Sequence, residues 1–130
     1  MKAKLQWHKT QVAQIALRTD GIIWVEIQPG VDQSVDQAKE NLDVCKRLAS
    51  GLKHPLLIDL RGAQVLQPET RLVYSDIEIA RFFTALGMVS NRDMLSRMMM
   101  NLYFQVATLP MPMKVFHELD PAVEWLVRLR

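Results

Sequence analysis

The sequence predicts an α/β fold in which an N-terminal β-hairpin leads into alternating strands and helices that build an open, mostly parallel sheet. Three observations carry that expectation. Two strand-like runs, Val12 to Leu17 and Ile22 to Ile27, flank Thr19-Asp20-Gly21, which supplies the positive φ of a tight hairpin turn. Leu56-Leu57-Ile58-Asp59-Leu60 is a short run apolar on both faces, the pattern of a central parallel strand. Between and after these runs, apolar residues recur at helical intervals, and strands alternating with helices define an open sheet with helices packed on it.

The elements follow in order. In the second hairpin strand Ile23, Val25 and Ile27 share one face, and Ile22, Trp24 and Glu26 share the other, before Pro29-Gly30 ends it. Ser34 with Gln37 has the spacing of a capping box and opens the first helix. Ala38, Leu42, Cys45, Ala49 and Leu52 mark its buried face, Gly51 stops it, and Lys46, Arg47 and Lys53 suit its C-terminal dipole. His54 reads as a loop residue and Pro55 as the first residue of the central strand. Pro68 suits the first position of a second helix, with Glu69 in its first turn. Leu72, Ile79 and Phe83 repeat along one side of it, next to Val73, Ile77 and Ala80. Thr84 to Val89 reads as a strand, with continuation of the helix as the alternative. A helix follows from about Arg92 to Ala107, then a loop bracketed by Pro110 and Pro112, and a short strand from Met113 to Phe116. Asp120 reads as the cap of a last helix, with Pro121 next and Ala122, Trp125, Leu126 and Leu129 on one face.

At 130 residues the chain is expected to be one domain, with the first ten residues flexible. Sixteen basic against fourteen acidic residues is too even a balance for a nucleic-acid binder, and no basic run is interleaved with aromatics. The start, MKAKLQWHKTQ, lacks the apolar core of a signal peptide, and no stretch is apolar enough to span a membrane. With one cysteine, Cys45, no intrachain disulfide forms, and a reducing, cytoplasmic location is expected.

The element order, with a strand ending Leu-Ile-Asp-Leu before a short loop and a helix, resembles the SpoIIAA-like fold of STAS domains and anti-sigma-factor antagonists. More closely, the chain resembles a family of small bacterial proteins of that fold without an assigned function. The stretches that carry this are Ala38-Lys39-Glu40-Asn41, His54 to Arg61, Glu69-Thr70-Arg71, Ser96-Arg97 with Asn101, and Ala122 to Leu126. The antagonists carry Asp-Ser-Ser-Gly at the start of the second helix, and a partner kinase phosphorylates the second serine. Laid on without gaps, that motif falls on Gln67, Pro68, Glu69 and Thr70, so Glu69 stands where the phosphorylated serine would be. The switch chemistry is absent, and Glu69 supplies a permanent negative charge instead.

Catalysis has no visible constellation. His8, His54 and His117 share no ligand spacing with one another or with Cys45, which has the spacing of a buried core residue. No glycine-rich phosphate loop, nucleophile elbow or cofactor motif is present, and neither a metal nor a cofactor is expected.

The C-terminal edge of the parallel strands, where open α/β sheets bind ligands, is the expected site. It gathers Arg61, Glu69 and Ser90-Asn91-Arg92, with Arg71, Ser96, Arg97 and Asn101 on nearby helices. Asp59 and Arg61 share a strand face, so Asp59 is expected to be orienting and bonded, and Arg61 to reach solvent and be nearly neutral for folding. The expected function is a non-enzymatic protein-interaction or regulatory domain in which Glu69 and Arg61 meet an unidentified protein partner. The alternative is a carrier for a small lipophilic ligand, similar in fold to CRAL-TRIO proteins, suggested by seven of the eight methionines lying between Met88 and Met113. The breadth of apolar surface on 92–107 also leads to the expectation of a homodimer through that segment.

Overall fold

The computed structural model describes residues 5–64, 66–91 and 111–130. Six strands form one sheet in chain order: β1 (His8–Lys9), β2 (Ala13–Leu17), β3 (Ile23–Ile27), β4 (His54–Asp59), β5 (Phe83–Val89) and β6 (Met113–Phe116). The pairings β1–β2 and β2–β3 are antiparallel, and β3–β4, β4–β5 and β5–β6 are parallel. The helices are α1 (Val35–Ala49), α2 (Pro68–Tyr74) and α3 (Leu119–Val127), with a 3₁₀ turn at Ile77–Arg81. The N-terminal hairpin, the doubly apolar central strand and the strand at residues 83–89 thus stand as expected. The sixth strand, β1, is an addition: His8 and Lys9 were expected to belong to a flexible terminus but pair with Ile15 and Gln14.

The two central strands, β4 and β5, are buried on both faces. Ile23, Val25, Leu56, Ile58, Leu86 and Met88 pack toward α1 and α2, whereas Ile22, Leu57, Ala85 and Val89 pack toward α3. Burying each large side chain contributes about 1.5–3 kcal/mol, so the two layers hold most of the stability. At the hairpin turn Gly21 has φ +88°, the conformation only glycine adopts without strain. On the α3 face a Cβ at Gly87 would stand 3.0 Å from Leu126 Cδ1, so the missing side chain is what lets α3 lie close to β5.

Ser34 caps α1 with both halves of the capping box, Gln37 N donating to its Oγ (3.1 Å) and Ser34 N donating to Gln37 Oε1 (2.9 Å). Four elements differ in detail from the expectation. Helix α1 ends at Ala49 because Ser50 turns left-handed (φ 51°), so Leu52 is 69% exposed instead of buried. Helix α2 stops at Tyr74, and its inner face is Thr70, Arg71 and Tyr74; Leu72 and Ile77, expected inside, are 57% and 69% exposed. His54 is the first residue of β4, and its Nδ1 donates to the Gly21 carbonyl (2.8 Å), so it is no loop histidine. The cap of α3 is Glu118, without a side-chain bond, and Asp120 lies inside the first turn. Met88, Met111 and Met113 fill core positions.

Candidate functional site

Helix α1 and the α2–3₁₀ segment run side by side over one sheet face and leave an open groove of about 310 Å³ between them. Its α1 wall carries Lys39 and Lys46, seven residues apart and therefore on one flank of the helix. The opposite wall carries Glu69, Asp76 and Glu78, and Leu42 of α1 with Leu72, Val73 and Ile79 makes the groove apolar between the charges. Lys46 is fixed by its ammonium standing 4.5 Å over the Phe82 ring. Asp76 takes the N-terminal turn of the 3₁₀ segment in hand, its Oδ1 accepting from Glu78 N (2.9 Å). A groove with one basic and one acidic wall complements a protein surface of mixed charge.

Beneath this groove lies a polar network that sequence reasoning missed. Tyr74 Oη donates to Gln33 Oε1 and accepts from Asn41 Nδ2 (3.3 Å), while Asn41 Nδ2 also donates to Gln33 Oε1 (3.1 Å). Thr10 Oγ1 donates to Asn41 Oδ1 (2.6 Å), and Thr70 Oγ1 donates to the Gln33 carbonyl (2.9 Å). Burial pushes the Tyr74 phenol well up from its ordinary value; the Asn41 and Gln33 hydrogen bonds oppose this, and Cys45 adds to it. The signal was Asn41, three residues from Ala38 and four from Cys45 on the helix's buried stripe. A polar residue there requires buried partners.

The structure separates residues that the sequence grouped. Asp59 is 3% exposed and lies on the α3 face of the sheet, opposite the face that carries α2 and Glu69. Arg61 clamps it from solvent, Nε to Oδ1 at 3.0 Å and a terminal nitrogen to Oδ2 at 2.8 Å, and Arg61 N also donates to Oδ1 (3.2 Å). The hydrogen bond to Asp59 raises the Arg61 pKa, against a smaller lowering by burial, with the Asp59 and Glu26 charges adding to the rise. Asp59 is thus buried and bonded to Arg61. Arg61 and Glu69 do not come together: one is engaged by Asp59 on the α3 face, the other lines the α1–α2 groove.

The same row continues across the sheet. Glu26 is register partner to Asp59, Gln14 to Glu26 and Lys9 to Gln14, with Gln14 Nε2 donating to Glu26 Oε1 (2.8 Å). Arg71, a candidate on the helix near that edge, is buried, and among the described residues its Nε has no hydrogen-bond partner. Ser90 is fully buried at the end of β5, its N donating to the Phe116 carbonyl (2.9 Å), with Oγ unpartnered among the described residues. Asn91 is exposed beside it. Arg92, Ser96, Arg97 and Asn101, the methionines at 94 and 98–100, and the homodimer and carrier readings that rest on 92–107 lie outside the described residues. Cys45 is buried, and burial raises its pKa well above the ordinary thiol value. Among the described residues there is no group of three or more side chains able to hold a metal ion, and no helix is long and apolar enough to cross a membrane.

A six-stranded sheet with an N-terminal hairpin, parallel centre and helices on both faces is a SpoIIAA-like α/β fold. An uncharacterized protein of the DUF3478 family from Shewanella loihica PV-4, whose crystal structure has that fold, superposes with a TM-score of 0.53. The match spans 95% of this chain and 92% of that one at 12% identity, so the likeness is one of fold. Residues 15–130 match the family model described as a domain of unknown function, DUF7793, and the chain belongs to that family. No curated protein matches it.

Proposed function

We propose that this chain is an interaction domain that meets a protein partner through its α1–α2 face. The observation that carries the reading is the exposure of Leu72 and Ile77 beside a groove walled by opposite charges. Large aliphatic side chains exposed next to organised charge are the makeup of a protein-contact patch. Glu69 supports it: the residue that aligns with the antagonists' phosphorylated serine lines this groove, where it presents a fixed negative charge. Arg61, held by Asp59 across the sheet, has no part in the contact. Affinity capture from the native cell with wild type, Glu69→Ala and Leu72→Asp tests the reading. Both positions are exposed, so both variants are expected to fold. Leu72→Asp is expected to lower recovery of the wild-type partners about tenfold or more, and Glu69→Ala to lower it less. Equal recovery with all three proteins contradicts the proposal.

A further inference from the structure

The α1–α2 groove needs an occupant with an apolar crest, an acidic side to meet Lys39 and Lys46, and a basic side to meet Glu69, Asp76 and Glu78. The chain itself carries such a shape next to the groove. The α2–3₁₀ ridge has Leu72 and Ile77 exposed along it, and Glu69, Asp76 and Glu78 beside them. We propose that a second copy of this chain occupies the groove, each copy's ridge seated in the other's groove so that its acids meet Lys39 and Lys46. The inference rests on reading this face as a protein-contact surface and names its occupant.

Symmetry favours the arrangement. A two-fold contact is isologous, so the patch must complement itself. A two-fold axis lying along the groove, between groove and ridge, turns the basic wall of one copy onto the acidic wall of the other, twice over. The same operation places Leu72 and Ile77 of each copy over the other's aliphatic groove and removes them from water. An axis across the groove would set lysine against lysine and is disfavoured by like charge.

Sedimentation equilibrium with charge-reversed variants tests this. Wild type is expected at twice the 15.0 kDa chain mass at tens of micromolar. Lys39→Glu/Lys46→Glu and Glu69→Lys/Asp76→Lys/Glu78→Lys each place like charges at both contacts. Each variant alone is expected to weaken self-association about a hundredfold or more. Mixed in equal amounts, the two variants are expected to pair with each other, since every contact is then attractive; this also shows that both are folded. A wild type that stays at the chain mass overturns the second copy. So does pairing of either variant as tight as wild type, or a mixture that does not associate. The interaction reading fails separately, when Leu72→Asp captures the same proteins in equal yield, so a monomeric wild type with Leu72-dependent capture overturns the second copy alone.

Discussion

Raising the pH from about 8 to about 11 is expected to remove about 4 kcal/mol of folding stability through two buried groups, Cys45 and Tyr74. Both have folded-state pKa values raised above their ordinary values of 9.0 and 10.0, mainly because burial disfavours the charged form. A group raised in this way contributes its full stability below its unfolded pKa. Above that value the unfolded chain ionises and the folded chain does not, so stability falls by about 1.4 kcal/mol per pH unit per group. The thiol starts the decline near pH 9 and the phenol adds to it near pH 10. Urea unfolding across this range measures it. Cys45→Ala is expected to delay the onset by about one unit, and Tyr74→Phe to flatten the steeper upper part. Unfolding midpoints of wild type that do not change between pH 8 and pH 11 would contradict the burial of both groups.

Arg61→Ala is expected to destabilise the fold more than Asp59→Ala, by about 2 against about 1 kcal/mol at neutral pH. The reason is the asymmetry of the pair: the Asp59 side chain is 4% exposed, whereas that of Arg61 is 46% exposed. Removing the acid frees a guanidinium that water can solvate. Removing the arginine leaves a buried carboxylate with one backbone donor, beside Glu26 in the register. Half-exposure of Arg61 keeps the cost below that of a fully buried pair. Thermal melts at pH 7 check this, with a drop of about 8 °C expected for Arg61→Ala. An Arg61→Ala protein that melts like wild type at pH 7 would restore the simpler view of Arg61 as a free surface residue.

The legible parts of the fold were those written in local chemistry. Ser34 with Gln37, Pro68 at a helix start, Asp20-Gly21 at a hairpin and the doubly apolar run at Leu56–Asp59 each act through the backbone or through simple burial, and each appears where expected. Helix α2 was misread for the opposite reason. Its aliphatic residue Leu72 points out, while Thr70, Arg71 and Tyr74 point in, and Gln33 and Asn41 supply Thr70 and Tyr74 with partners 33 or more residues away. Periodicity of apolar residues cannot register a core held together by hydrogen bonds. Of the charged residues that line the groove, the sequence singled out Glu69 alone as a site residue. Arg61 and Glu69 are eight residues apart and adjacent on paper, but Asp59, which strand alternation sets on the α3 face, holds Arg61 from the turn after β4. Lys39 and Lys46, which stand on the groove's opposite wall from Glu69, come from a helix whose exposed flank the sequence had not assigned to the site.

The central claim is that Leu72 and Ile77 are exposed in the isolated chain because protein covers them in the cell. A photoreactive residue at position 72, irradiated in the native cell, tests it directly, with position 52 as the reference because Leu52 is equally apolar and 69% exposed at the far end of α1. Discrete protein adducts from position 72 and none from position 52 are the predicted result. Adducts absent at 72, or the same diffuse products from both positions, would contradict the claim.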